Sequence, residues 1–422
     1  MPLILGAGLL PALGAACVGC GGASDPPPTP AASKPAVTLR VGVVGDKSLA
    51  NAIARLAGEW NTRSGGTLRA TTVDTLSEAS LASLDAVVFS SAALGELCER
   101  HALRPLRRSM LESDEFALGD LFPLVREVEI VYGRRPMAAP LGCPCPLVFS
   151  AATPIDRYDL KAFSDLQHGL AFLALAAPRV VHRSQAGVLW ESDTFEPQLE
   201  SRPFVRTLEQ LIADANDSED AATTGRVVWP NRGSDSEPGG AAPVTATAEV
   251  YNPLSGVWEP SPAQPATLVA SSGRLVGVTT ASRNATSAFR LVAWLASAEV
   301  ASQLRDASPG LANCRGSLAT RPDDWIAADP RAPRAASFSR ALAAALRTNR
   351  FLIAPRLPGH ERYVATLGAA VGRALGGEAT ASAALAEAAA DWRRIADELG
   401  RQQQHAAYLR SINLRAYEPQ RP

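Results

Sequence analysis

The chain has 422 residues, 46% of them hydrophobic, and a formal net charge of -1. That length suits two domains or lobes better than a single core. The near-zero charge argues against a nucleic-acid binder, and the apolar content against a disordered chain.

Residues 1–20, MPLILGAGLLPALGAACVGC, are an apolar run that ends in small residues and a cysteine. The run is too short for a transmembrane helix. Residues 21–36 are rich in Gly, Ser and Pro and read as a flexible linker. Together they resemble a bacterial lipoprotein signal, which implies a lipid on Cys20 or Cys17 and an extracytoplasmic, membrane-tethered protein.

Residues 36–46 are a β-branched run that meets a turn at Gly45-Asp46. Residues 47–66 carry Leu49, Ile53, Leu56 and Trp60 at helical spacing and stop at Gly65-Gly66. Strands are predicted at 67–75 and 84–91, and a helix at 92–102. This β-α-β-α-β alternation predicts a parallel sheet covered by helices. Ligands of such sheets gather beyond the carboxyl ends of the strands, here Gly45-Asp46 and Ser90-Ser91. A turn at Tyr132-Gly133-Arg134-Arg135 leads into a segment stiffened by Pro140, Pro144 and Pro146, with Cys143 and Cys145 between them. Helices are predicted near 160–176 and over 204–215, a short strand at 225–233, mostly loop over 234–262, and a strand at RLVGVTT. The next helix runs through Ala288, Leu291, Trp294 and Leu295. From residue 332 the pattern is helical and closes with one long helix through Trp392 and Ile395 to about Tyr408.

Beyond the leader four cysteines remain: Cys98, Cys143, Cys145 and Cys314. Spacing leaves open whether they pair or pack as small side chains. No second Cys or His pair stands at ligand spacing from Cys143-Pro144-Cys145, so no zinc site is expected. The sequence contains no HExxH, GxSxG, P-loop or dinucleotide-binding turn past the leader, and implies no cofactor and no catalytic residue.

Five stretches, in this order, carry a family resemblance: TLRVGVVGDKSLANAIARLAGEWNTRSGG, LDAVVFSSAALGELCERHALRPL, VYGRRPMAAPLGCPCPLVFS, GRVVWPNRG and SSGRLVGVTTASRNATSAFRLVAWLAS. Their order and spacing resemble an extracellular solute-binding protein of the ABC-transporter sugar-binding family over about 37–418. The resemblance implies an α/β, two-lobed periplasmic-binding-protein-like fold (type II), each lobe a β-sheet flanked by helices with a ligand cleft between. Lobe 1 is expected from 37–142 and 265–325, and lobe 2 from 143–264 and 326–422, with the Pro-rich stretch as the first crossing. It further implies a monomeric, non-enzymatic protein that captures a small solute, a carbohydrate, for ABC permease subunits. The alternatives are a sensor or structural lipoprotein of the same fold, or a secreted hydrolase.

A sugar cleft needs a flat apolar face and a few planar polar groups. The candidates are Asp46, Ser90 and Ser91 at strand ends, Cys143 at the first crossing, and Ser272 and Gly273 at the second. Trp190, Trp229 and Trp258 lie in loop or strand-end contexts and are candidates to stack on the ligand. Asp46, Ser90 and Ser91 would serve equally well as helix N-caps. Trp60, Trp294 and Trp392 fall on helical apolar faces and are expected in the core. Arg274 and Arg315 offer guanidinium groups to an anion.

Overall fold

A computed structural model describes residues 37–150, 157–160, 163–216, 224–228, 240–244, 249–261, 265–304, 307, 311–321 and 332–418. Cys17, Cys20 and Trp229 lie outside the described residues, as does the whole leader and linker.

The first predicted unit forms as the pattern dictates. Strand β1 (Thr38–Val44) buries Leu39, Val41 and Val43 and leads through Gly45 into α1 (Lys47–Arg55). The expected single helix over 47–66 is two: the chain bends at Leu56, and α2 (Ala57–Ser64) follows, ended by Gly65 in the left-handed region. Strand β2 (Thr67–Val73), the short α3 (Glu78–Ala82) and β3 (Ala86–Ser90) complete the pattern, and β1 pairs in parallel with both β2 and β3. Helix α4 (Leu94–Glu99), β4 (Leu103–Arg104) and α5 (Arg108–Leu111) come next. One turn of π-helix (Val125–Glu129) precedes the hairpin β5 (Val131–Tyr132) and β6 (Arg135–Pro136). Its two turn residues, Gly133 and Arg134, both have positive φ, 55° and 65°, as a two-residue type I′ turn requires. Strand β7 (Ala139–Gly142) then rejoins the first sheet.

Residues 143–146 carry the chain to a second sheet, whose order is β11-β8-β10-β9: β8 (Leu147–Ser150), β9 (Arg157–Asp159), β10 (Thr224–Val228) and β11 (Gly240–Pro243). Between β9 and β10 lie α6 (Asp165–Val180) and α7 (Arg202–Asn216). A capping box starts α6: Ser164 Oγ accepts from Gln167 N, and Gln167 Oε1 accepts from Ser164 N at 2.9 Å. The stretch expected to be loop contains an antiparallel hairpin, β12 (Glu249–Asn252) and β13 (Val257–Pro260), closed around Gly256 with φ 71°. Its strands are only four residues long, which gave periodicity too little to act on.

Strand β14 (Thr267–Val269) precedes the second crossing, and β15 (Arg274–Thr279) lies antiparallel to β3, β4 and β7 in the first sheet. Helices α8 (Ala285–Leu295), α9 (Ala298–Leu304) and α10 (Gly316–Ala319) return to the first sheet's side, and α11 (Ala332–Arg347) follows. Strand β16 (Phe351–Ile353) pairs in parallel with β14 as a two-stranded ribbon. Helices α12 (His360–Leu375), α13 (Ala381–Glu398) and α14 (Arg401–Ser411) finish the chain; Gly400 splits the expected final helix in two. No helix among the described residues is long and apolar enough to cross a membrane.

Two hydrophobic clusters result, one per lobe. The first holds Leu39 to Leu147, Leu275 to Leu346 and Tyr417; the second holds Val148 to Leu268 and Leu352 to Tyr408. The chain therefore changes core four times, the last time to place Tyr417. Helix α11 departs from the expected division: Leu342 and Leu346 pack in the first cluster, although they lie past residue 326. In the second lobe α6 and α12 touch backbone to backbone. A Cβ on Gly368 would sit 1.6 Å from Asp165 O, and one on Gly169 2.4 Å from Val364 O. Gly368→Ala should therefore lower stability by about 1–3 kcal/mol, because a close-packed contact must open. Gly58→Ala, with no atom near its new methyl, should raise it by about 0.5–1 kcal/mol through helix propensity. Urea melts of both variants check this, and equal effects would contradict the packing.

Candidate functional site

One end of the first sheet gathers the polar groups that the sequence singles out. Asp46 and Ser90 follow the parallel strands β1 and β3, and Arg274 opens β15 opposite Ser90 in register. Asp46 Oδ1 caps α1 by accepting from Leu49 N at 2.9 Å. Its Oδ2 stands 3.7 Å from Arg274 Nη2, with the two side chains 10% and 24% exposed. The two oxygens thus divide their work: Oδ1 caps the helix and Oδ2 faces Arg274. Ser90 is half-buried. Ser272 Oγ and Arg274 Nε are buried without a protein hydrogen-bond partner. Buried polar atoms left open in this way are costly unless a further group meets them. Ser272 Oγ and Arg274 Nε therefore leave unused hydrogen-bonding capacity at the strand ends, beside Asp46 and Ser90.

Three neighbours are sealed in structure. Ser91 is 0% exposed, accepts from Gly273 N at 3.0 Å, and its own N donates to Gly273 O at 2.8 Å. Gly273 is buried against Glu129. Cys143 is 2% exposed, and the space beside it and Cys145 is a void of about 10 Å³, room for a single water at most. Ser91, Gly273 and Cys143 hold the crossings together; as placed, none presents a surface to a ligand. Cys98, Cys143, Cys145 and Cys314 are free thiols, all buried. Burial, and after it the bond Cys143 donates to Cys314, push the Cys143 pKa up; the same bond pushes that of Cys314 down, and burial pushes the Cys145 thiol up to about 12.

The tryptophan candidates separate. Trp190 is 1% exposed and stacks on Trp392 with ring centroids 4.4 Å apart, walled by Phe195, Tyr363 and Tyr408. It belongs to the core of the second lobe. Trp258 is half-buried on β13, against Tyr251 and with the Arg206 guanidinium 4.4 Å over its ring. Trp60, Trp294 and Trp392 are core, as their helical spacing implies. Arg315, 1% exposed, spends its guanidinium on the carbonyls of Phe116, Ala117 and Ala296 and on Asp120, so it is structural.

Sequence reasoning missed Glu129. It is 4% exposed, accepts from Ala270 N at 2.7 Å and bonds Ser91. Burial raises its pKa, which Ser91, Arg356 and the Ala270 amide only partly offset. No local pattern announces it, because its partners come from 91, 270 and 356.

No family model and no curated protein matches the chain. Solved structures do. The sugar-binding protein MalE from Xanthomonas citri superposes with a TM-score of 0.62 at 14% identity, over 87% of this chain and 98% of that one. An ABC substrate-binding protein from Listeria monocytogenes, in complex with cycloalternan, gives 0.57 at 13% identity over 86% and 99%. An ABC transporter solute-binding protein from Agrobacterium radiobacter, in complex with ribitol, gives 0.56 at 17% identity over 85% and 98%. The fold is thus the two-lobed periplasmic-binding-protein fold.

Two outcomes follow. Trp190→Ala should destabilise the protein by about 3–5 kcal/mol, the range for truncating a large core aromatic, whereas Trp258→Ala should cost less than about 1.5 kcal/mol at its half-exposed site. Urea melts distinguish them, and a larger loss at Trp258 would reverse the assignment. For Glu129 the sign is set by its raised pKa. The stabilisation is complete below the unfolded carboxyl range, near pH 4.3, and fades as pH rises through the raised folded value. Glu129→Gln stays neutral throughout, so it should gain on the parent in urea melts between about pH 4 and about pH 8. A parent–variant gap constant over that range would show that Glu129 is not held toward its neutral form.

Proposed function

We propose that this chain is an extracytoplasmic solute-binding protein that captures a carbohydrate or polyol for an ABC importer. The observation that carries the reading is the strand-end corner of Asp46, Ser90, Ser272 and Arg274, with buried Ser272 Oγ and Arg274 Nε unmatched by protein. Ligands of α/β sheets lie beyond the carboxyl ends of strands, and planar charged groups beside hydroxyls suit a polyhydroxylated ligand. The fold it shares with proteins described as binding cycloalternan and ribitol supports the same class. Trp229, which follows β10, remains the candidate to stack on the sugar from the second lobe. Lipidation at Cys20 or Cys17 would tether a monomer at the membrane beside its permease, and the protein performs no catalysis.

Thermal-shift and calorimetric titration of the full chain with maltotetraose, ribitol and mannitol tests this, since a ligand of the folded state raises the melting temperature by mass action. Asp46→Ala and Arg274→Gln should each weaken the binding by about 1–3 kcal/mol. Carbohydrate binding that ignores both substitutions would move the site elsewhere, and no response to any sugar or polyol would sink the reading. Palmitate labelling that survives Cys17→Ala and vanishes with Cys20→Ala, or the reverse, identifies the anchor.

A further inference from the structure

The second lobe holds a cavity of about 610 Å³ that none of the strand-end residues lines. That size is typical of a small-molecule site. Its walls come from the loop after α6, the hairpin β12–β13, the entry to β16 and one face of α14. Part of its hydrogen-bonding capacity is already spent. His182 Nδ1 lies 2.6 Å from Ser184 Oγ, and its Nε2 lies 3.2 Å from Glu259 Oε2. Glu259 Oε1 accepts from Asn252 Nδ2 at 2.5 Å, and Tyr408 OH donates to Trp190 O at 3.0 Å. Gln185 and Asn349 add two neutral amides to the wall.

Charge, in contrast, is not spent. Arg350 donates to Ser261 Oγ at 3.1 Å, Pro178 O at 2.8 Å and Val181 O at 3.2 Å. It pairs with no carboxylate among the described residues, and burial lowers its pKa. Three bonds leave roughly two of its five N–H groups open. Arg183 also lines the cavity, and the one acid of the wall, Glu259, is already engaged by His182, Asn252 and Arg183. A guanidinium held in a partly dry wall without a counter-charge favours an anion. Phe351 and Ile412 make the facing surface apolar. We propose that this cavity binds a small monocarboxylate with an apolar body, its carboxylate on Arg350 and Arg183 and its hydrocarbon against Phe351 and Ile412.

The test is calorimetry of the full chain with benzoate, phenylacetate and hexanoate, with benzyl alcohol as the uncharged comparison. At least one carboxylate should bind, and benzyl alcohol should bind about tenfold or more weakly than benzoate. Arg350→Gln should weaken carboxylate binding by about tenfold or more, and Arg183→Gln by less. Arg350→Gln also gives up structural bonds, so Ala186→Trp supplies the second arm. Ala186 is exposed at the cavity wall, and an indole there would occupy cavity space while leaving the Arg350 side chain itself unchanged. It should abolish carboxylate binding and leave the thermal melt and maltotetraose titration unchanged. Equal binding of benzoate and benzyl alcohol, carboxylate binding that survives Ala186→Trp, or no heat from any carboxylate at about 10 mM would each overturn the proposal.

Discussion

The junction of the lobes depends on one buried guanidinium. Arg356 is 0% exposed. Nη1 donates to Val128 O at 3.0 Å and Glu129 O at 3.1 Å, and Nη2 to Val131 O and Ser411 O, both at 2.8 Å. Taking such a charge out of water costs several kcal/mol, and it is tolerated only when its donors are met. Here four carbonyls meet the Nη1 and Nη2 groups, only Nε is left without a protein partner, and Glu129 supplies the nearby acid. Each carbonyl is in turn fixed by Arg356, since a buried carbonyl without a donor is itself unfavourable. The result ties together the π-helical turn before the first crossing, the stretch after β16 and the end of α14. Through Glu129 and Ala270 it also reaches the second crossing. Any rotation of one lobe against the other must keep this knot intact or break several charge-assisted bonds at once.

Around the knot the polar and apolar roles divide sharply. Behind it, Leu346, Cys143 and Cys145 close on a void with space for a single water at most. At the strand ends, Asp46 and Arg274 face each other at a loose 3.7 Å, with neighbouring hydroxyl and guanidinium atoms unmatched. A packed base and an underused rim suit a fold that must hold its own shape yet reserve hydrogen-bonding capacity for something else. In the second lobe rigidity has a different source. Trp190, Trp392, Tyr363, Phe195 and Tyr408 interlock, and Trp392 Nε1 donates to Tyr363 O at 2.8 Å.

What the sequence revealed follows the range of the forces involved. The parallel β1–β3 unit, α7, α8 and α12 were legible because hydrophobic spacing is local. So was the presence of a turn at Gly133. Trp190 was not, because an acidic neighbour and a turn-like context hide partners that arrive from 363, 392 and 408. Arg315 looked like one more surface arginine, since the carbonyls that bury it come from 116, 117 and 296. Helix breaks at Leu56 and Gly400 were missed because apolar spacing runs on across a bend. Asp46 and Ser90 were singled out by a topological rule about strand ends and Ser272 by its place at the second crossing, but the position of Arg274 opposite Ser90 needed the register of β15 against β3.

The C-terminal segment has a consequence for how the molecule is made. Helix α14 and the residues after it return from the second lobe to the first: Arg410 bridges to Glu99, Tyr417 N donates to Gly133 O, and Tyr417 OH meets His101 Nδ1 across 316 residues of sequence. The ring of Tyr417 is part of the first lobe's own core. A chain synthesised from its N-terminus therefore cannot finish its first lobe until residue 417 emerges, and closing so long a loop is slow. Until then the surface at Tyr132 and His101 that Tyr417 covers stays open, and transiently exposed apolar surface of this kind is where unfinished chains aggregate.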